Sequence, residues 1–307
     1  MPLSRRALLS TATAAAFAAA AAPAVAAPRS RPRAAAVRHI PLQGAVNVRD
    51  LGGYLTYTGD RVRHGLVYRA DALSKLTDAD VTTLAGLRLG RVVDFRIPLE
   101  VQYDGADRLP SGLVAVSRQV TDNGLFGQLL AAIGSRDPVR QEQMLGGGRA
   151  AAFMHEVYRT FVTSAANRAQ LGLTLRELAG PGSTPSLYHC TSGKDRTGWT
   201  SYLLLTVLGV PEQTVVGDYL ASNTFRSAYD AKVREGLKQG GLMQNPDLII
   251  PLQEVRTEYL RTALDEVRKG YGGLFRYLTD GLGLELGTLA RLQDRLVDQP
   301  GTRPALR

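Results

Sequence analysis

Cysteine is nearly absent from this sequence, since among 307 residues only Cys190 carries a thiol. A lone cysteine cannot form an intramolecular disulfide, and the four histidines (His39, His64, His155 and His189) show no spacing typical of metal ligands. A chain of this length buries enough apolar surface to fold without crosslinks. We therefore expect no disulfide, no metal and no other cofactor.

Acidic residues are missing from the first 38 positions, which contain six arginines. The formal net charge of +9 therefore falls to +3 for the rest of the chain. That remainder has no basic run interleaved with aromatic residues, the pattern typical of nucleic-acid binding. Composition thus gives no reason to expect a nucleic-acid partner.

The N-terminus lacks an apolar run long enough to cross a bilayer. Arg5 and Arg6 precede an alanine-rich stretch of about 16 residues, whereas a membrane span needs about 20. The small residues Ala24-Val25-Ala26 follow, which predicts an export signal peptide over residues 1–26 and no stable membrane insertion. The paired arginines favour the twin-arginine route, with the Sec route as the alternative. We expect the mature protein to be secreted or extracytoplasmic.

No linker rich in proline, glycine or serine divides the rest of the chain. We predict a disordered basic leader over residues 27–40, a single α/β domain over residues 41–298 and a tail over residues 299–307. Apolar runs at 66–69 and 91–96 predict buried strands, and Thr77 with Asp80 predicts a capped helix start. The other expected elements are a hairpin at 53–63 and helices at 139–180 (broken at glycines 146–148), 224–238, 253–269 and 286–297.

Residues 189–198 read His-Cys-Thr-Ser-Gly-Lys-Asp-Arg-Thr-Gly and lie between two apolar runs. This context predicts a strand, a tight loop and a helix, so the loop lies at a helix N-terminus. Ser192 and Gly193 are small enough for successive backbone N–H groups to turn inward and bind an anion such as phosphate. The alternative is an inert buried cysteine beside an accidental turn. The joint spacing of cysteine, arginine, threonine and glycine is much more specific than a glycine motif alone.

Each residue of this phosphate loop, residues 190–197, has an expected role. Cys190 would be the nucleophile, because the helix dipole, the inward amides and the guanidinium of Arg196 favour its thiolate. Arg196 can grip two phosphoryl oxygens with its planar fork. His189 is expected to orient the loop rather than to act as a base. The residues expected to bind substrate are Thr191, Ser192, Gly193, Lys194 and Thr197. We also expect the Thr197 hydroxyl to donate to the sulfur.

Four segments of the chain resemble a known family. They are residues 47–54 (Asn-Val-Arg-Asp-Leu-Gly-Gly-Tyr), 68–77, 92–96 and the phosphate loop. Over about residues 46–297 the chain resembles the bacterial and fungal atypical tyrosine phosphatases. The resemblance implies a cysteine-dependent phosphatase fold, with a central, mostly parallel sheet flanked by helices. It also implies activity on phosphotyrosine, on phosphoserine or phosphothreonine, and on phosphoinositides.

In that family the segment corresponding to residues 224–270 forms a helical lid over the active site. A plain helical hairpin packed on the sheet is the alternative. Lys194 would face the mouth of the loop, where it could bind a second phosphate of an inositol ring or simply remain solvated.

Three aspartates compete for the role of general acid, the group that protonates the leaving oxygen. Asp94 resembles the strand-end aspartate of the family's Asp-x-Arg motif, and Asp195 matches the family's Lys-Asp pair. Asp122 lies in a Thr-Asp-Asn-Gly sequence typical of a turn. We predict that Asp195 and Asp94 share the catalytic work, and that Arg49 and Asp50 are structural.

Taken together, these residues predict a secreted phosphatase that forms a cysteinyl-phosphate intermediate on a phosphorylated protein or phosphoinositide substrate. The alternative is a pseudophosphatase that binds phosphotyrosine or phosphoinositide without hydrolysis, against which the intact Cys190, Arg196 and Thr197 count. Arsenate reduction by a disulfide relay would need further cysteines, which the chain lacks.

Overall fold

The computed structural model describes residues 37–298, and a six-stranded sheet forms their centre. The strands are β1 (Arg38–His39), β2 (Arg49–Asp50), β3 (Arg61–Val62), β4 (Val67–Ala70), β5 (Arg91–Asp94), β6 (Ala115–Ser117), β7 (Ser186–His189) and β8 (Val297–Asp298). The order across the sheet is β1-β2-β4-β7-β5-β6, and β3 pairs with β8 apart from it. Strands β4, β7, β5 and β6 run parallel, whereas β1 and β2 form an antiparallel edge. The mostly parallel α/β sheet expected from the sequence is thereby confirmed.

Helices cover both faces of this sheet. They are α1 (Asp78–Gly86), α2 (Pro98–Asp104), α3 (Leu125–Ser135), α4 (Pro138–Leu145), α5 (Arg149–Thr163), α6 (Ala165–Leu178), α7 (Arg196–Val207), α8 (Glu212–Gln239), α9 (Ile250–Gln253), α10 (Thr257–Tyr271), α11 (Leu274–Arg276) and α12 (Leu286–Leu296). A short 3₁₀ turn, Pro246–Ile249, precedes α9, and a π turn, Tyr277–Gly281, follows α11.

The two faces of the sheet bury two separate apolar clusters. Successive residues of a strand point to opposite faces, and β5 and β7 show this alternation directly. Val92 and Leu187 pack in a small cluster with helix α1, whereas Val93 and Tyr188 pack in the large cluster that contains Trp199 of α7. Burial on both faces explains why these strands are continuous apolar runs in the sequence.

The register of the parallel strands brings the predicted functional residues to one edge. Asp94, the last residue of β5, lies opposite His189, the last residue of β7. The phosphate loop begins at the next residue, so Asp94 and the loop share the carboxyl-end rim where ligands of such sheets bind. The capped start of α1 is also confirmed, because Thr77 and Asp80 form the reciprocal capping box.

Several element boundaries differ from those expected. Helix α8 begins at Glu212 rather than at 224, because its first turns bury Asp218 and Ser222 toward the core and so hide the apolar periodicity. The helical region at 139–180 breaks a second time at Ser164, whose hydroxyl caps α6. Helix α10 ends at Tyr271, because Gly272 adopts a left-handed conformation there.

The chain termini of the domain also differ from the sequence-based boundaries. Strand β1 lies inside the stretch 27–40 assigned to a disordered leader, and it pairs with β2. The hairpin expected at 53–63 reduces to one bridge between Leu55 and Arg61, because β3 pairs instead with β8, where the end of a helix was expected. The signal peptide at 1–26, leader residues 27–36 and the tail at 299–307 lie outside the described residues. Between residues 37 and 298 no helix combines the length and the apolar character needed to cross a membrane.

Candidate active site

The phosphate loop connects β7 to α7, as its sequence context predicts. Helix α7 is buried along almost its whole length, because apolar residues surround it on all sides. Burial fixes the position of its N-terminus, whose unpaired N–H groups and positive dipole end face the loop. The helix therefore offers a fixed anion-binding end directly after Asp195.

Three successive carbonyl groups of the loop are held outward. The oxygens of Thr191, Ser192 and Gly193 accept hydrogen bonds from outside the loop. The donors are the Ala72 amide (3.1 Å to Thr191), the Arg226 guanidinium (3.3 Å to Ser192), the Asn47 side-chain amide (3.1 Å to Ser192 and 3.0 Å to Gly193) and the Arg69 guanidinium (2.7 Å to Gly193). The C=O and N–H of one planar peptide point in opposite directions. Outward carbonyls therefore turn the following amides inward, and the N–H groups of 192–194 meet no acceptor within the part of the chain described.

Gly193 is required at the tip of this loop. Its φ is +63°, a left-handed conformation that other residues adopt at a cost. A Cβ atom at this position would lie 2.4 Å from the carbonyl oxygen of Ala70. The close approach of loop and strand thus excludes any side chain, which the sequence did not reveal beyond the presence of a small residue.

A buried ion-pair network supports the donors of the loop from behind. Asp218 of α8 accepts from Arg69 at 2.6 Å and from Arg49 at 3.4 Å. Arg49 in turn donates to the side chain of Asn47, which holds the loop carbonyls. Burial and the charge of Arg69 lower the pKa of Arg49 to about 10, and the two arginines hold the pKa of Asp218 below its usual value despite burial. Arg49 thus has the supporting position expected of it.

Arg196 is held by a carboxylate that sequence reasoning missed. Its Nη1 and Nη2 donate to the two oxygens of Glu100 at 2.6 and 2.5 Å, and the Thr191 hydroxyl donates to the same carboxylate at 2.5 Å. Burial opposes both charges, but the pairing outweighs it, so the pKa of Glu100 falls and that of Arg196 rises. No acceptor among residues 37–298 takes the Nε–H of Arg196 or the second proton on Nη2. The Nε–Nη2 side of the guanidinium is therefore available to bind two phosphoryl oxygens.

Glu100 could have been found from its local sequence. It is the third residue of α2, which starts at Pro98 directly after the Asp94-Phe95-Arg96 strand end, and its carboxylate also accepts from the Ile97 amide at 2.8 Å. A helix that starts at the rim of the sheet with an acidic residue in its first turn is a signal for such a contact.

Cys190 lies at the base of the loop and is only 1% exposed. Interaction with the Cys190 side chain is among the causes that raise the pKa of Arg196, so the two groups lie near each other. The expected hydrogen bond from Thr197 to the sulfur is not formed. The Thr197 hydroxyl is buried and has no partner among the described residues, because Thr197 lies in the first turn of α7 and its side chain is enclosed in the core.

His189 belongs to an ion-pair network behind the loop. Its Nε2 lies 2.9 Å from Asp107, and Arg96 donates to Asp107 at 2.8 Å. Burial disfavours the imidazolium, but the hydrogen bond and charge of Asp107 outweigh burial and raise the pKa of His189. Its Nδ1 lies 3.4 Å from the carbonyl oxygen of Cys190, so both ring nitrogens are engaged, which supports an orienting role rather than that of a base.

Asp94 belongs to the same network. Both of its oxygens accept from Arg96, at 2.9 to 3.0 Å. The ligand atoms of Asp94, Asp107 and His189 lie within 4.8 Å of one another, a spacing that could hold a metal ion. Arg96 already pairs with both carboxylates, so a metal ion would have to compete with its guanidinium.

Asp195 and Lys194 form an ion pair at the opposite side of the loop. The Lys194 ammonium lies 2.8 Å from Asp195 and 3.4 Å from the carbonyl of Glu254, and its side chain is 2% exposed. Lys194 is therefore buried in a contact with the segment before α10, and does not face the mouth of the loop as a free cation. Tyr158 donates to the second oxygen of Asp195 at 2.9 Å. Burial and the charge of Asp195 raise the pKa of Tyr158 well above its usual value, so this donor stays protonated.

Two remaining predicted residues lie beside the site. Asp122 accepts from the amides of Gly124 and Phe126 at 3.0 and 2.8 Å, which is the turn geometry that its sequence indicates. Asp50 accepts from the amides of Gly52 and Gly65 at 2.7 and 2.9 Å and supports the adjoining loop.

The segment 224–270 touches the phosphate loop at two points. Arg226 of α8 reaches Ser192 O, and the Glu254 carbonyl before α10 reaches Lys194. That this segment forms a lid over the active site remains a prediction.

Comparison with known proteins agrees with this geometry. A model of a tyrosine phosphatase family matches residues 40–298. The chain is 32% identical over 262 residues, 84% of its length, to a protein of Cupriavidus necator named as a tyrosine-protein phosphatase, and covers 90% of that protein. It is 30% identical over 283 residues to the triple specificity protein phosphatase PtpB of Mycobacterium tuberculosis, of which it covers 99%.

Proposed function

The chain belongs to the tyrosine phosphatase family and is a protein-tyrosine or dual-specificity phosphatase, and from this premise we propose that it works through a phosphocysteine at Cys190. One observation carries the proposal. A buried, free thiol begins the loop whose inward amides are unpaired among the described residues, and it lies near Arg196, whose second edge is free. A phosphate monoester is the ligand whose oxygens those donors match and whose phosphorus a thiolate can attack.

In the first step the Cys190 thiolate forms a bond to phosphorus as the bond to the ester oxygen breaks. The leaving oxygen takes a proton from the general acid and departs as a phenol or alcohol. In the second step a water molecule, which loses its proton to the same residue, attacks phosphorus and the sulfur leaves as thiolate. Inorganic phosphate is released. The loop amides and Arg196 stabilise the charge on the equatorial oxygens in both steps.

Asp195 is the better candidate for the general acid. Both aspartates are ion-paired, but Asp94 accepts three hydrogen bonds from the guanidinium of Arg96 and lies at the strand end behind the loop. Asp195 lies in the loop itself and shares its charge with one lysine and one tyrosine hydroxyl. We therefore assign the proton transfer to Asp195 and a supporting role to Asp94.

Replacing Asp195 by asparagine should affect substrates according to their leaving groups. We expect hydrolysis of phosphoserine peptides, whose alkoxide needs a proton, to slow by about 10²-fold, and hydrolysis of nitrophenyl phosphate to slow by less than about tenfold. Steady-state kcat values on both substrates measure this. The matched variant Asp94→Asn should slow both substrates equally, and equal losses in Asp195→Asn would assign Asp195 a supporting role as well.

Phosphotyrosine in proteins is the first substrate class that we assign, with phosphoserine and phosphothreonine proteins and phosphoinositides as wider candidates. The relative named as a triple specificity phosphatase supports a range beyond phosphotyrosine. The buried pairing of Lys194 with Asp195 argues against a strong contribution of this lysine to inositol phosphate binding. Turnover of nitrophenyl phosphate by the purified protein separates an enzyme from a phosphate-binding pseudophosphatase, which would bind the compound without releasing nitrophenol.

Export is part of the same proposal and is based on the sequence of residues 1–26. A mature chain that begins near Ala27 in the culture supernatant would support it, and a full-length chain confined to the cytosol would refute it. Exchange of Arg5 and Arg6 for lysines should block the twin-arginine route and leave the Sec route intact.

A further inference from the structure

A cavity of about 460 Å³ opens beside the phosphate loop. The side chains of Thr191 and Ser192 form part of its wall, so it adjoins the place where a substrate phosphate would bind. We call it the side cavity. Its volume lies in the range of about 300–1,000 Å³ that is usual for ligand sites.

One wall of the side cavity is apolar. It is formed by Phe126, Leu129, Ile133, Val233, Leu237 and Leu252. Tyr103 of α2 and Tyr229 of α8 stand at its rim, 65% and 49% exposed. Exposed aromatic residues around an apolar concavity are typical of surfaces that bind a partner.

The side cavity also has three acidic lining residues. Asp71 and Asp230 both face Arg226, at 3.6 and 2.6 Å, and these three charges largely neutralise one another. The third carboxylate, Asp104, makes no hydrogen bond and no ion pair within 4.0 Å among residues 37–298, although the charges of Arg96 and of the exposed Lys75 act on it from farther away. Asp104 is half-buried, and burial raises its pKa above the usual value. A cation brought by a ligand would relieve this unfavourable burial.

The position of Asp104 ties the side cavity to the catalytic loop. Asp104 is the last residue of α2 and lies four residues after Glu100, so the two carboxylates project from the same face of the helix. Glu100 is bound to Arg196 and Thr191. One rigid turn therefore sets the distance between the phosphate site and the free carboxylate.

From this arrangement we propose that the side cavity is a subsite for the peptide around a phosphotyrosine, and that Asp104 selects a lysine or arginine beside the phosphorylated residue. The inference rests on the proposed function above. The long apolar stem of a basic side chain would pack on the wall, and its charge would pair with Asp104. An inositol ring with several phosphates would instead bring more negative charge to an unpaired carboxylate.

Peptide kinetics test this proposal. The full chain is assayed with phosphotyrosine peptides of one sequence, in which lysine, alanine or glutamate is scanned through the flanking positions. At one position at least we expect kcat/KM to be about fivefold to tenfold higher with lysine than with alanine, mainly through KM, and lower still with glutamate. Asp104→Asn should bring the ratio of lysine to alanine close to one. Asp104→Lys should reverse the order in favour of glutamate.

Asp265→Asn is the matched control, because Asp265 lies on α10 with an exposed partner, Arg268, outside the side cavity. This variant should keep the lysine preference. If kcat/KM is the same for all scanned peptides while nitrophenyl phosphate is still hydrolysed, the subsite alone is overturned. If the unmodified chain does not hydrolyse nitrophenyl phosphate, the proposed function is overturned. Equal losses on all peptides in Asp104→Asn would place Asp104 in the chemistry or the fold and contradict the proposal. Faster hydrolysis of a phosphatidylinositol phosphate in vesicles than of any peptide would do the same.

Discussion

Replacing Cys190 by serine is expected to lower kcat on nitrophenyl phosphate by about 10⁴-fold or more. A serine hydroxyl at this position is protonated at neutral pH, and His189 is not placed to take its proton because its Nε2 is bound to Asp107 and its Nδ1 lies 3.4 Å from the Cys190 carbonyl oxygen. The loop amides and Arg196 do not depend on the sulfur for their positions, since their partners lie outside the loop. The variant should therefore bind inorganic phosphate or a phosphopeptide as tightly as the unmodified chain.

Calorimetric titration with phosphotyrosine peptide measures the retained affinity, and a sensitive assay of phosphate release measures the lost turnover. Activity of Cys190→Ser within a factor of about ten of the unmodified chain would show that another group attacks phosphorus. Loss of both affinity and turnover would show instead that the substitution disrupts the loop.

Replacing Arg196 by lysine is expected to lower kcat/KM by about 10²- to 10³-fold. Lysine keeps the positive charge, so the buried Glu100 remains paired and the fold should persist. A lysine ammonium cannot bind Glu100 and two phosphoryl oxygens at once in one plane, as the guanidinium can. The loss should therefore fall mostly on kcat, because the planar contact strengthens as the transition state forms.

Glu100→Gln is the companion variant for this prediction. It keeps the shape of the side chain but turns an N–H₂ group toward the guanidinium, so Arg196 should lose its fixed orientation. We expect kcat/KM to fall less than in Arg196→Lys, by about tenfold to 10²-fold. The free energy of unfolding should be close to that of Arg196→Lys. An Arg196→Lys variant that keeps its kcat would mean that charge alone, without the planar fork, supports the reaction.

The phosphate loop could be predicted from the sequence because its parts are contiguous. Cys190, Gly193 and Arg196 lie within seven residues between a strand and a helix, so local geometry brings them together without knowledge of the rest of the fold. The position of Asp94 followed from the rule for parallel strands. Apolar periodicity, residue spacing and strand direction carry enough information for these two predictions.

The supporting contacts could not be predicted in the same way. Glu100 meets Arg196 from 96 positions away, and its role depends on where α2 lies after β5. Lys194 was expected at the mouth of the loop, but the chain that carries Glu254 folds over it and buries its charge against Asp195. The buried Asp218, which supports the loop donors, interrupts the apolar pattern in the first turns of α8, so the sequence does not reveal where this helix begins. Long-range polar contacts leave no periodic signal, so sequence patterns miss them.

The most direct measurement of the central claim is the mass of the protein during turnover. Rapid acid quenching of the unmodified chain with nitrophenyl phosphate, followed by digestion and mass spectrometry, should find one added phosphoryl group on the peptide that contains Cys190. The Asp195→Asn variant should accumulate more of this species, because water attack then lacks its base. A phosphoryl group on any other residue, or fast turnover with no phosphorylated peptide in either protein, would contradict a phosphocysteine intermediate.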